Sequence, residues 1–160
     1  MCFELPESLV IASQMNAELQ NKVIQNFEIT DYEKHQKDNW FNRDISYLDN
    51  LINNTITSVE SLNSIILINF KTDHVLLIGP EYGGEIRFIK DKESPLKKFH
   101  LKLTFSDKSL LFIRIKGFGY CILYPNKNIS ENYVYRRDQD KIRINNNQEF
   151  TLEKFEMDLK

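Results

Sequence analysis

The sequence predicts an α+β fold that is mostly β, an antiparallel β-sandwich flanked by two helices. Three observations predict it. Strand-favouring aromatics are frequent, with 11 Phe and 7 Tyr. From Thr55 onward, apolar residues come in short runs broken by turn residues. Two earlier stretches keep helical spacing instead.

Pro6 and Glu7 open the first helix, since Pro suits a first turn and a carboxylate suits the positive end of the helix dipole. Leu9, Ile11, Ala12, Met15 and Leu19 then line one face, and Asn21–Lys22 close it. Val23 to Ile29 reads as a short strand. Asp31 to Arg43 is polar and reads as a loop, with His35 on its surface and Trp40 near its end. Asp44 caps a second helix carrying Ile45, Leu48, Leu51 and Ile52. Strands are expected over Thr55–Val59, Ser64–Phe70, Val75–Ile78 and Glu85–Ile89. The clearest hairpin follows. Leu101, Leu103 and Phe105 alternate with Lys102 and Thr104, Ser106-Asp107-Lys108 turns the chain, and Leu110–Ile115 returns. Gly117-Phe118-Gly119 interrupts before a last strand, Tyr120–Tyr124. The tail from Asn126 is polar, and in Phe150–Leu159 the residues Phe150, Leu152, Phe155 and Leu159 share a helical face.

At 160 residues, 41% hydrophobic and 28% charged, the chain has the size and composition of one globular domain. Its charge is 21 minus 23, or −2, with a pI near 5.9. A domain that grips DNA unaided carries a positive excess, because phosphate neutralisation supplies most non-specific affinity. Cys2 and Cys121 are the two cysteines, and no Cys-x-x-Cys pair exists. That argues against a disulfide framework or zinc site and fits a reducing cytoplasm. His35, His74 and His100 have no ligand spacing, so neither a metal nor another cofactor is expected. Met1 to Glu7 is short and acidic, unlike a signal peptide, and no apolar run reaches membrane-spanning length, so no membrane partner is expected.

Phe3-Glu4-Leu5-Pro6-Glu7 resembles the Pro-Glu-Leu-Pro-Glu that opens the formamidopyrimidine-DNA glycosylase and endonuclease VIII repair family. Ile65–Phe70, Asp73–Ile78, Gly84-x-Ile86-Arg87, Lys98-x-His100-Leu101-x-Leu103-x-Phe105 and Ser106-Asp107 resemble that family's strands, its Gly-x-Leu-Arg turn and its hairpin. Phe118-Gly119 resembles the end of its Arg-Arg-Phe-Gly motif, and Phe150–Leu159 the linker into its second domain. The resemblance implies an N-terminal β-sandwich domain over residues 1–128. Residues 129–160 would then be a polar tail and helix leading to a helix–two-turn–helix domain that is missing here.

The function implied is a glycosylase-like domain of base excision repair, impaired in catalysis on its own. In that family the N-terminal amine attacks the sugar of a damaged nucleotide turned out of the stack, and the adjacent Glu moves protons. Glu4 matches that Glu, but Phe3 stands at the position of the Pro. Removal of Met1 would put the amine on Cys2, one residue or about 3.5 Å of chain too far out. A displacement near 1 Å can cost about a hundredfold in rate. The family's turn Lys reads Ser64, and its Arg-Arg pair reads Lys116-Gly117. Tyr82, Arg87, Lys116 and Phe118 are the candidate DNA contacts, with Tyr82 an aromatic wedge beside an unhelpful Glu81. The implied partners are damaged DNA and a separate protein bringing the helix–two-turn–helix and zinc finger. The alternatives are a non-enzymatic interaction or DNA-binding domain, and an active glycosylase/lyase using the Cys2 amine.

Overall fold

The computed structural model describes residues 5–79, 84–90, 96–133, 135 and 136. Helix α1 (Leu5–Leu19) leads into β1 (Ile24–Ile29), followed by a short helix α2 (Tyr32–Lys37) and a 3-10 helix (Ile45–Leu51). Strands β2 (Ile56–Leu62), β3 (Ile65–Phe70), β4 (His74–Gly79), β5 (Glu85–Ile89), β6 (Leu101–Phe105), β7 (Leu110–Arg114) and β8 (Tyr120–Pro125) come next, then a second 3-10 helix (Asn126–Glu131). The strands form two antiparallel four-stranded sheets, ordered β1-β6-β7-β5 and β2-β3-β4-β8. The antiparallel sandwich read from the sequence is the architecture found.

Its core lies between the sheets. Leu101, Leu103 and Phe105 of β6 and Leu111 and Ile113 of β7 pack with Ile66 and Ile68 of β3, Leu76 and Ile78 of β4, and Cys121 and Leu123 of β8. Helix α1 adds Ala12, Met15 and Leu19, the face its spacing predicts. The apolar runs of β3 and β4 are buried on both faces. Their outward Ile65, Leu67, Val75 and Leu77 form a second cluster with Leu62, covered by Tyr120, Tyr124, Ile129 and Tyr135. The chain leaving β8 thus folds back over the outside of its own sheet.

Two expectations need correction. The polar stretch after Asp31 is not all loop, because Tyr32–Lys37 is helical and His35 is buried within it. Glu33 in its first turn and Lys34 and Lys37 in its last suit the helix dipole. The Tyr32 hydroxyl reaches the carbonyls of Asn42 and Arg43 at 2.8 and 2.9 Å, tying the ends of the segment together. The second helix is 3-10 rather than α. Asp44 caps it as expected, accepting from the Ser46 N–H at 2.9 Å. At three residues per turn, Leu48 and Leu51 share one buried face while Ile52 faces outward.

Both edges of the β2-β3-β4-β8 sheet are met by something other than a strand. Along β2, Asn16 of α1 accepts from the Val59 N–H at 2.8 Å and Gln20 donates to the Thr57 carbonyl at 3.2 Å. Along β8, the Asn42 amide pairs in both directions with Leu123, donating to its carbonyl at 2.8 Å and accepting from its N–H at 2.9 Å. The Cys121 N–H donates to the Trp40 carbonyl at 2.6 Å. Residues 40–42 therefore act as a strap along the β8 edge.

Asn42→Ala strips Leu123 of both partners and should lower stability by about 1–3 kcal/mol. Asn42→Asp restores the acceptor but sets a carboxylate against the Leu123 carbonyl, so it should not rescue. Urea unfolding with an unchanged m value is the measurement.

Candidate nucleic-acid interface

Strand register decides which segments share an end of the sandwich. The β2–β3 turn closes between Leu62 and Ile65, Ile66 pairs with Ile78, and Gly79 pairs with Tyr120. In the other sheet Glu85 pairs with Arg114, Ile113 with Leu101, and Leu101 with Ile29. One end therefore gathers the Asn63-Ser64 turn, the end of β4, the start of β5, and the β7–β8 loop at 115–119. The start of α1 joins them, because Ser8, fully buried, donates through its hydroxyl to the Asn63 carbonyl. These are the segments on which the sequence resemblance placed the site.

Of the predicted site residues, Arg87, Lys116 and Phe118 are brought to this region. Arg87 is exposed on β5, opposite Phe112 and two residues from the Glu85–Arg114 pairing. Lys116 is exposed, and Phe118 is 89% exposed at the tip of the β7–β8 loop. Its ring is thus open to a partner at the loop tip. Glu4, Cys2 and Tyr82 lie outside the described residues. Ser64, at the turn beside the start of α1, supplies a hydroxyl where the family's turn carries Lys.

Glycines shape the loop. Gly117 has φ 57°, in the left-handed region where an L side chain is strained. A Cβ on Gly119 would sit 2.8 Å from the Gly79 carbonyl oxygen and 3.0 Å from that of Lys116. Gly119 is thus dictated by close backbone approach of the loop to the end of β4. The Gly119 N–H closes the turn on Lys116 O at 3.0 Å.

Beneath the loop lies a cluster that local sequence signals did not disclose. His35 stacks on Trp40, with ring centroids 4.4 Å apart and planes 10° from parallel. His100 meets His35 edge-on at 4.6 Å and Trp40 at 4.9 Å. Two bonds tie the cluster to the loop: Trp40 Nε1 donates to Gly117 O at 3.0 Å, and His100 Nδ1 accepts from the Ile115 N–H at 2.9 Å. His100 thus helps hold the loop through the Ile115 N–H. His35 is 4% exposed, and neither of its ring nitrogens finds a hydrogen-bond partner among the described residues. Burial lowers the pKa of His35, helped by Lys34 and opposed by Asp31 and Asp38. Burial also lowers that of His100, with His35 and Arg114 adding to it.

Among the described residues no three of His, Cys, Asp and Glu gather as a metal set. No described helix is long and apolar enough to cross a membrane.

The family model for the formamidopyrimidine-DNA glycosylase N-terminal domain matches residues 2–121. No curated protein sequence matches the chain. Among solved structures, it is similar to Lactococcus lactis formamidopyrimidine-DNA glycosylase non-covalently bound to DNA containing an abasic site. That likeness has 17% identity and a TM-score of 0.75, covering 98% of this chain and 56% of that one. It is also similar to MutM in complex with carbocyclic 8-oxo-G containing DNA, at 18% identity and a TM-score of 0.69, covering 84% and 49%. A further likeness is to an inhibited Lactococcus lactis enzyme with N7-benzyl-Fapy-dG containing DNA, at 18% identity and a TM-score of 0.70, covering 84% and 48%. At such identities the likeness establishes the fold, and the chain spans about half the length of the structures it matches.

Gly119→Ala must move backbone and should lose about 1–3 kcal/mol in thermal or urea unfolding. Gly79→Ala, whose Cβ meets only the Tyr120 ring, should lose less. Because both imidazoles bind protons more weakly in the folded than in the unfolded state, their contribution is complete above about pH 6.5. It is lost as the pH falls below that value. Unfolding midpoints from pH 8 to pH 5 should drop on the acid side, and His35→Phe should shrink the drop.

Proposed function

The chain belongs to the formamidopyrimidine-DNA glycosylase N-terminal domain family, and on that premise we propose that it is a DNA-repair, glycosylase-like domain that engages damaged DNA through the Phe118 end of the sandwich. One observation carries the reading: the first turn of α1, the Asn63-Ser64 turn, the end of β4 and the Phe118 loop converge on one end. An exposed ring on a backbone-constrained loop, with Lys116 beside it and Arg87 on the neighbouring strand, suits a wedge flanked by phosphate contacts.

Amine chemistry is impaired in this chain. Phe3 occupies the nucleophile's position, and Ser64 cannot supply the positive charge that the family's Lys brings. A net charge of −2 also leaves little electrostatic grip. Residues 1–128 form the sandwich domain in this reading, with Ile129 and Tyr135 of the following segment packed on its outer face. A separate protein carrying the helix–two-turn–helix and zinc finger supplies most of the DNA affinity. The reducing cytoplasm suits Cys121, a buried free thiol whose pKa burial raises.

Borohydride trapping and gel shift at low salt, on duplex and single-stranded DNA with an abasic site, test the proposal. The expected result is a gel shift that weakens in Phe118→Ala and Lys116→Ala, with no covalent adduct. An adduct lost on Glu4→Gln or on blocking the α-amine would show an active lyase working from the Cys2 amine. A gel shift indifferent to Phe118 and Lys116 would remove the assigned interface.

A further inference from the structure

The His35–Trp40–His100 cluster takes no part in the amine chemistry of the family, yet its geometry is specific. Three rings lie within 4.4–4.9 Å of one another. Two of them hold the Phe118 loop on its β7 side, Trp40 at Gly117 and His100 at Ile115. The strap carrying Trp40 is in turn fixed to β8 through the Cys121 N–H and the Asn42 amide. Nothing in packing alone requires a histidine at position 35, where a buried ring stacks on an indole without using either nitrogen.

We infer that His35, Trp40 and His100 are positioning residues for the Phe118 loop, and that protonation of the two imidazoles releases the loop and weakens its hold on DNA. The inference rests on the DNA-contact reading above and adds a regulation to it. Charged groups of both signs surround the cluster. Lys34 of α2 and Arg114 of β7 oppose a first proton, while Asp31 and Asp38 at the ends of α2 favour one. From β8 comes Cys121, a buried thiol that stays neutral. A second proton would set two cations 4.6 Å apart in a buried place. An imidazolium at position 100 would also lose the Nδ1 lone pair that accepts from Ile115. The stack would open where the loop is tethered.

The direction of the effect makes it distinctive. Added positive charge ordinarily tightens DNA binding, because it neutralises phosphate. Loop release predicts the opposite, weaker binding on acidification, by up to about tenfold per pH unit for one linked proton.

Trp40 is the sole tryptophan, so its emission reports the cluster directly. Two titrations from pH 8 to pH 5 make the test. One follows Trp40 fluorescence alongside far-UV circular dichroism. The other follows binding of a labelled duplex with a tetrahydrofuran abasic analogue. The expected result is a fluorescence transition below about pH 6.5 with unchanged circular dichroism, and loss of binding over the same range. His35→Phe, which stacks but cannot titrate, should flatten both. His100→Asn, which keeps an acceptor for Ile115, gives the same test from the other ring should the first variant not fold. Emission that stays flat, or that titrates identically in both variants, overturns the inference. So does DNA binding that tightens on acidification while emission changes, and that outcome leaves the DNA reading intact. Emission that titrates as expected with no DNA bound at any pH overturns the DNA reading, and the proposed regulation with it.

Discussion

An antiparallel sheet ends in backbone groups that need partners, and the way this chain supplies them organises the rest of the molecule. Among the described residues, the β2-β3-β4-β8 sheet is not extended by further strands. Side chains of α1 meet β2, and the 40–42 strap meets β8. Both covers lead directly to the end where the candidate interface lies. The first turn of α1 is anchored at Asn63, and the strap carries the indole that holds Gly117. Edge protection and site construction are therefore one arrangement: the elements that keep the sheet from pairing elsewhere also bring the loops together.

Much of this was legible in the sequence. The alternation in Leu101–Phe105, the turn at Asp107 and the return from Leu110 gave a hairpin whose register is the one found. The α1 face was equally plain, because Ala12, Met15 and Leu19 keep helical spacing into the core. What was missed was non-local. Tyr32–Lys37 is polar throughout, so its helix carries no amphipathic signal, and His35 looked like a surface residue. Its burial depends on Trp40 and His100, the latter far along the chain on another element. The second helix kept the right cap and the right buried leucines but the wrong pitch, since a period of three and one of 3.6 are hard to separate over two turns. Of the site, the sequence marked Lys116 and Phe118, which lie exposed on the β7–β8 loop, and Arg87, which lies exposed in the middle of β5. Glu4, Cys2 and Tyr82 fall outside the described residues.

The departures from the family's pattern are not all of one kind. Ser64 replaces a charged side chain within a turn that keeps its place, so there the loss is electrostatic. Gly117 differs, because its backbone has turned into the left-handed region. An arginine restored at 117 would meet a loop shaped for glycine. The loop is held in this shape by the Trp40 and His100 bonds to Gly117 and Ile115.

The residues after β8 offer a last point. Ile129 and Tyr135 lie on the outer face of β3 and β4, over Ile65, Leu67, Val75 and Leu77. The stretch by which the chain departs from the sandwich is thus also one of its walls. Any load on the chain beyond Arg136, whether from tethering, assembly or a degradation machine pulling on that side, would first peel away this wall. It would bare the apolar outer face of the central strands, so mechanical failure should begin there and not between the two sheets.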